Sequence, residues 1–555
     1  MNLAILTLKL LESRRRAFEK ATLDPMRAQE KVLFECLRRN RSTEYGRRYG
    51  FSGLRSIADY QAAVPLVDYE VIRPYVDRMA NGEQNILTKD RPTFFGSTSG
   101  TTDLPKLIPT TKYSDSKKAD LLWLWSYYIA RDHPDIVRGK VLAIISPEIE
   151  GVTPSGVRCG AETGHGYRSL PGPVRHLYVL TPEVFEITDY DARYYTILRL
   201  SIEKDVTDVA TLNPNTIILL CQRIKIWEKT LIDDIREGTL SGDFSIPAAI
   251  RKSLERRLRP NPRKASELSR ILEEKKALLP KYFWPKMRLI ECWKSGMMKL
   301  YLKELEEYFG NVPVRDMGCL STEARCSIPI SDEGASGVLA IQSNFYEFIP
   351  KDAPDRRGKR ALLCNELEAG KEYFIVVTTA GGLYRYNIDD IVKVTGFFNK
   401  TPLIEFVQKG LSATSLAGEK LYESQLNEAV SRALEKHGLL LEFFSAIADV
   451  RGRRYSLLVE FSDKSPSSDE EKRAFLATVE EELLALNREY LFTRNAQILN
   501  TPVLKVVRKG DFEKYRAKKI EEGAHEGQFK VAELTKDQDF EKNFVVEKVI
   551  ELVKR

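Results

Sequence analysis

Residues 94–111 read FFGSTSGTTDLPKLIPTT, and the seven residues Gly96–Thr102 hold five hydroxyls and two glycines, with Lys106 four residues on. A hydroxyl- and glycine-rich loop closed by a lysine suits a polyphosphate. Gly100 lets the backbone approach the phosphates, the hydroxyls and main-chain N–H groups donate hydrogen bonds, and Lys106 supplies a point charge. It is not a Walker loop, which needs a glycine immediately before the lysine. Taken alone, the stretch also reads as a surface turn.

The chain around it has 555 residues, too many for one core, so two or more domains are expected. Apolar content of 43% and charged content of 30% exclude a disordered chain. The 86 basic and 79 acidic residues leave a net charge of +7, which favours anionic small molecules slightly. That balance gives little support to nucleic-acid binding, for which the basic block 251–281 is the one candidate. Seven cysteines stand singly without a C-x-x-C pair, as free thiols in a reducing compartment do. His165 and His176 lack ligand spacing and read as a loop and a strand residue. At the N-terminus an apolar run (3–11) precedes its basic residues, the reverse of a signal peptide, and reads as a first helix. "VLAII" (141–145) and "TIILLC" (216–221) have the length of buried strands, not of membrane spans. A cytoplasmic monomer with neither membrane nor nucleic-acid partner is the expectation.

Residues 1–90 read as mostly helical: "AQEKVLFECLRRN" has an apolar face at helical spacing, and "SIADYQAAVPLVDYEVIRPYVDRMANGE" follows as short helices broken by prolines. After the opening stretch come a helix, "DSKKADLLWLWSYYIARDH", and a strand, "GKVLAIIS". Residues 150–175 are rich in glycine and proline and read as a long irregular loop, a feature that tends to be functional. Strand and helix signals then alternate to about residue 409, with a strand-rich tract before that boundary. From there the texture resets to helix, two strands, a charged helix, a strand and a basic segment. The fold class is therefore mixed α/β, with a large domain over 1–409 and a smaller α+β domain over 410–555.

Three further clusters carry chemistry. In "GCLSTEA" (318–324), Ser321, Thr322 and Glu323 offer two hydroxyls and a carboxylate, which suit a divalent cation held between phosphate oxygens. A helix N-cap is the alternative. In "GLYRYNIDDIVKV" (382–394), Tyr384 and Tyr386 alternate with Arg385 along a strand, and Asp389 and Asp390 follow. A carboxylate there matches the vicinal diol of a ribose, or serves as a turn aspartate. In "GAHEGQFKVAEL", Lys530 lies in a glycine-flanked segment and could offset developing negative charge, or be a plain surface lysine.

The four clusters together resemble the adenylate-forming enzymes, with "TSGTTDLPK" (98–106) similar to their phosphate loop. The text "NRSTEYGRRYGF…VPLVDYEVIRPYVDRMANGEQNIL" (40–87) narrows the resemblance to the auxin-responsive Gretchen Hagen family of acyl-acid amido synthetases, in its bacterial branch. So do "TPSGVRCGAETG", "STEA", "LYRYNIDDIVKV", "GEKLYESQL" and the closing "GDFEKYRAKKIEEGAHEGQFKV". The resemblance implies a large adenylation domain with packed sheets and a β-rich subdomain, a mobile smaller domain, and a hinge near Gln408–Gly410. It places ATP on Ser97, Thr98, Ser99, Gly100, Thr101, Thr102 and Lys106, on Ser321 and Thr322, and on Tyr384, Arg385 and Asp390. It implies that Thr322 meets the α-phosphate, Glu323 holds Mg²⁺, Asp390 holds the ribose and Lys530 is the catalytic lysine. Asp103 and Asp389 stand where the superfamily has glycine.

The implied reaction is attack of a carboxylic acid on ATP, giving an acyl-adenylate and pyrophosphate, followed by amide formation with an amine and release of AMP. The amine is expected to be an amino acid. An acyl-CoA or acyl-carrier ligase shares the first step, and an inactive nucleotide-binding homologue shares the binding residues. The helix bearing Trp123, Trp125, Tyr127 and Tyr128, with residues 153–172, is the candidate wall of the acid pocket.

Overall fold

The computed structural model describes residues 3–98, 106–295, 298, 302–351, 353, 361–410, 413–439, 441–462, 468–521 and 533–552. These form two compact units, one spanning Met1–Thr98 and Lys106–Val407, the other Gln408–Arg555.

The larger unit opens with helices α1 (Leu3–Ala21), α2 (Pro25–Asn40), α3 (Glu44–Arg48), α4 (Ile57–Ala63) and α5 (Tyr69–Ala80). Their starts are written in the sequence: Asp24, Thr43, Ser56 and Asp68 each accept a hydrogen bond from the backbone N–H three residues on. The opening stretch then forms a hairpin of β1 (Pro92–Thr98) and β2 (Lys106–Thr111). Helix α6 (Lys112–Asp132) follows without a gap because Thr111 and Ser114 cap it reciprocally. Ser114 N–H donates to Thr111 Oγ1 (3.2 Å), and Thr111 N–H donates to Ser114 Oγ (2.8 Å).

Three sheets carry the unit. One contains β3 (Lys140–Ala143), β6 (Val206–Ala210), β7 (Leu289–Glu291) and β8 (Val314–Arg315), all parallel. The second has the order β2-β1-β5-β4, with β4 at Gly151–Val152 and β5 at Arg158–Gly160 running parallel to β1. The third has six strands in the order β11-β12-β13-β14-β10-β9. These are β9 (Ser327–Ile328), β10 (Gly337–Leu339), β11 (Phe345–Pro350), β12 (Glu372–Thr378), β13 (Tyr386–Phe398) and β14 (Thr401–Lys409). One apolar core, running from Phe18 through Trp125 to Ile404, joins α1–α6 to the third sheet.

Three local expectations are corrected. "TIILLC" is the start of a helix, Pro214–Glu237, not a strand. Residues 216–221 are buried all round, so the run shows no helical period and mimics a core strand. Residues 150–175 are not one irregular loop: they contain β4, β5 and helix α7 (Glu162–Arg168). His165 lies inside α7, and His176 follows a short helix, Gly172–Arg175, rather than standing in a strand.

The smaller unit is a five-stranded sheet in the order Leu534–Thr535, Leu441–Asp449, Arg454–Phe461, Val503–Val507 and Val546–Glu551, with helices Glu423–His437 and Asp469–Leu486 packed together. Its core includes a buried carboxyl, Glu419, which accepts from Leu416 N–H, Ala417 N–H (both 2.7 Å) and Tyr455 Oη–H (2.6 Å). All seven cysteines are free thiols. No helix among the described residues is long and apolar enough to cross a membrane.

Candidate active site

Strand β1 delivers the first candidate residues. Ser97 pairs with Leu107, and the backbone of Thr98 pairs with Lys106, whose Nζ lies 5.5 Å from the centre of the Tyr69 ring. Ser99, Gly100, Thr101 and Thr102 lie outside the described residues, as does Asp103. The informative position is Gly96. A Cβ built there would stand 2.4 Å from Thr322 Cγ2 and 3.4 Å from Glu162 Oε2. Only a residue without a side chain lets β1 lie this close to Thr322. The strand that leads into the hydroxyl-rich loop and the hydroxyl–glutamate motif, more than two hundred residues apart, thus touch.

Thr322 and Glu323 form the tip of a tight turn rather than a helix start, which corrects the N-cap alternative. Leu320 and Arg325 bridge across its base, Ser321 N–H donates to Ala324 O (2.9 Å), and Ala324 N–H donates to Ser321 Oγ (3.3 Å). Ser321 therefore uses its side chain to staple the turn. Glu323 is buried and Thr322 half-buried.

Glu162 enters from β5 and α7, because β5 pairs in parallel with β1 at Gly96↔Gly160. Its Oε1 accepts from Lys118 Nζ on α6 (2.7 Å), while Oε2 is buried without a donor among the described residues. Three residues along α7, His165 is clamped. Nε2 lies 3.3 Å from Asp115 Oδ2, Nδ1 lies 3.3 Å from Glu148 Oε1, and the ring stacks on Phe94 at 4.2 Å. Burial disfavours the imidazolium, but Asp115, Glu162 and Glu148 outweigh it and raise the His165 pKa.

The aspartates lie in an irregularity of β13. Between the pairs Phe374↔Ile391 and Val376↔Asn387, two steps on β12 face four on β13. Such a bulge re-aims side chains. Asp389 takes φ = +66° there, and its N–H donates to Asn387 Oδ1 (2.9 Å). The left-handed backbone suits glycine best, and aspartate is among the few other residues that adopt it. Asp390 is half-buried beside it.

Tyr384 and Arg385 are placed differently from the sequence expectation. The strand starts at Tyr386, and Arg385 has φ = +48°, so the alternation assumed for 384–386 fails. Tyr384 is 1% exposed, donates its hydroxyl to Leu87 O (2.7 Å) and stacks on Tyr45 at 5.0 Å. Arg385, 4% exposed, grips Glu347 through Nε (3.0 Å) and Nη2 (2.9 Å) and donates through Nη1 to Gln61 O and Val64 O. Both are core residues whose polar atoms are engaged by protein, which leaves no free edge for a nucleotide.

Beside Glu323 opens a small cleft of about 20 Å³, lined by Ser114, Lys117, Lys118 and Leu121 of α6, by Arg325, and by residues 379–381. The α6 residues recur at helical spacing and share one face. Sequence reasoning missed Glu162, Lys118 and Arg325. Of the four aromatics named for the acid pocket, Trp125 lies beneath Arg325, whereas Tyr127 and Tyr128 bond Glu12 (2.8 Å) and Glu19 (3.2 Å) of α1. Lys530 lies outside the described residues.

A three-sheet α/β unit followed by a small α+β unit is the fold of an acyl acid amido synthetase. The solved structure of the GH3.15 acyl acid amido synthetase matches with a TM-score of 0.65 at 25% identity, over 97% of this chain and 96% of that one. The chain belongs to the GH3 family: residues 14–314 match the GH3 family N-terminal domain, 337–409 the central domain and 424–539 the C-terminal domain. Among similar proteins is the indole-3-acetic acid-amido synthetase GH3.3 of Arabidopsis thaliana, 27% identical over 93% of this chain and 90% of that protein. The jasmonoyl–L-amino acid synthetase JAR4 of Nicotiana attenuata is 27% identical over 92% of each.

Proposed function

We propose that this chain is an ATP-dependent, AMP-forming acyl-acid amido synthetase that joins a carboxylic acid to an amino acid. The contact of Gly96 with Thr322 carries the reading, because it gathers a hydroxyl-rich strand end and a hydroxyl–glutamate turn at one place. In this reading the loop 97–102 and Lys106 cradle the phosphates, Thr322 donates to the α-phosphate, and Asp390 accepts from the ribose hydroxyls. Glu323 fits a Mg²⁺ shared with substrate phosphates: among the described residues no cluster of three acidic or histidine ligands could cage a metal, and the spare Oε2 of Glu162 lies by the same turn. The ion would supply charge neutralisation at the phosphates.

Thr322 and the loop hold the phosphates so that the acid's carboxylate attacks phosphorus in line, expelling pyrophosphate. Lys530 is proposed to offset charge at that step. An amine then attacks the acyl carbonyl, the C–N bond forms, and AMP leaves with the C–O electron pair. Residues 1–409 are proposed as the adenylation domain and 410–555 as a mobile lid. The free thiols support a cytoplasmic setting, and we propose a monomer acting on small molecules, without nucleic-acid or membrane partners.

The test is ATP–pyrophosphate exchange over a panel of carboxylic acids, with products of the complete reaction identified by mass spectrometry. Exchange completed to an amide by an amino acid supports the proposal. Completion only by a coenzyme A thiol would make the chain an acyl-CoA ligase, and no exchange with any acid would refute adenylation.

A further inference from the structure

The turn that presents Thr322 and Glu323 also carries Arg325, which nothing above employs. Thr322 faces β1 through its methyl, whereas the Arg325 guanidinium lies over the Trp125 ring of α6, with Cζ 5.1 Å from the centroid. Among the described residues the guanidinium makes one hydrogen bond, Nη1 to Met317 O (3.3 Å), and no ion pair. The neighbouring carboxyls Asp316 and Glu291 act on it through space, but neither is hydrogen-bonded to it. Asp316 accepts backbone N–H groups of Lys294 and Gly318 (both 2.6 Å). Burial pushes the Glu291 carboxyl up, against the opposing pull of Arg315 and Arg325. Burial also lowers the Arg325 pKa, to about 10, which leaves it charged.

A second donor stands at the same place. Trp125 is 5% exposed, and its indole Nε1–H is buried with no acceptor among the described residues. A half-buried guanidinium stacked over the indole and a buried N–H of that same indole, both short of an acceptor, suit an oxyanion. Guanidinium binds a carboxylate through two parallel N–H donors. Arg325 also lines the cleft beside Glu323, whose other walls carry Lys117 and Lys118. The cleft has room for about one water at about 20 Å³, so a larger ligand enters by displacing the two lysine side chains. Each of these is held by a single carboxylate, Glu35 at 3.5 Å and Glu162 at 2.7 Å.

We propose that the acid activated by this chain carries a second oxyanion, such as a second carboxylate, which docks between Arg325 and the indole N–H of Trp125 while the reacting carboxylate faces Thr322. The inference rests on the adenylating reading above and names the class of acid for it. Arg325 is then a specificity residue.

The test compares ATP–pyrophosphate exchange with the dicarboxylates from succinate to suberate and the length-matched monocarboxylates from butyrate to octanoate, with benzoate as an unrelated acid. The best dicarboxylate is expected to exceed its monocarboxylate partner in kcat/KM by at least about tenfold, the ratio given by about 1.4 kcal/mol of charge-assisted hydrogen bonding. Arg325→Met is expected to bring that ratio to about one or below. A wild-type preference for monocarboxylates, or a dicarboxylate preference that survives Arg325→Met, overturns the inference. Exchange with benzoate alone overturns it too, while leaving the ligase reading intact. Exchange with no acid removes both. Should Arg325→Met fail to fold, Trp125→Phe, which keeps the ring and removes the N–H, is expected to lower the same ratio, and an unchanged ratio counts against the proposal.

Discussion

Replacing Gly96 by alanine tests the contact on which the site depends. Gly96 is not among the glycines at positive φ, so its backbone accepts alanine and the new methyl alone carries the cost. That methyl would lie 2.4 Å from Thr322 Cγ2, against an ordinary contact of 3.4–4 Å, so the two must separate by at least about 1 Å. The other close neighbour, Glu162 Oε2 at 3.4 Å, needs no movement. Overpacking of this kind costs about 1–3 kcal/mol of stability. A shift of about 1 Å at a group proposed to position the phosphate is expected to lower kcat about 100-fold. The assay is ATP–pyrophosphate exchange with the best acid of the panel, with urea unfolding measured on the same samples. Thr322→Ser supplies the control, since it removes Cγ2 and keeps the hydroxyl. In the Gly96→Ala background it should recover most of both losses, giving a strongly non-additive cycle. Unimpaired exchange in Gly96→Ala, or a serine that rescues nothing, would refute the reasoning.

Arg385→Met should behave as a core lesion rather than a nucleotide-site lesion. Its side chain and that of Glu347 are 5% and 1% exposed, so breaking the pair costs about 3–5 kcal/mol of urea stability. The KM for ATP of the folded protein should change little, and a selective rise in that KM would restore the nucleotide role. Glu323→Ala and Asp390→Ala are expected to abolish exchange, whereas Lys530→Ala slows it by orders of magnitude and spares nucleotide binding; a Lys530 variant with normal exchange would end that assignment. His165 predicts a pH effect. Its folded pKa is raised, so its contribution to stability is fully present below the unfolded value of about 6.5 and is lost as pH rises through the folded value. Arg158 and Arg168 also contact Glu148, so the clamp is shared. The urea midpoint of His165→Gln should fall less with rising pH over that window, and parallel curves would exclude the clamp.

Local physics made much of the fold legible. The caps at Asp24, Thr43, Ser56 and Asp68 and the helix after Thr111 all rest on neighbours within a few residues. The failures share a cause. "TIILLC" lost its period because the first turns of that helix are buried all round, and Ser321 looked like a cap because Ser/Thr before a glutamate caps helices elsewhere. At the site, the motifs were readable one by one, but the Gly96–Thr322 contact joins distant segments through tertiary packing that no local pattern encodes. Glu162 became visible only through β5 pairing with β1. Arg325 had a signal, a charge set between Ala324 and Cys326 ahead of the apolar residues 328–330.

The turn at 320–325 has a consequence for how such an enzyme diversifies. Its shape depends on backbone groups and on the Ser321 hydroxyl, and the Arg325 side chain contributes nothing to those bonds. The side chain at 325 can therefore be exchanged while the hydroxyl and carboxylate at 322 and 323 keep their positions. If residues 322 and 323 carry the chemistry and Arg325 the selectivity, as proposed, the two are inherited on one loop yet mutate independently, and a new acid preference is a single codon away.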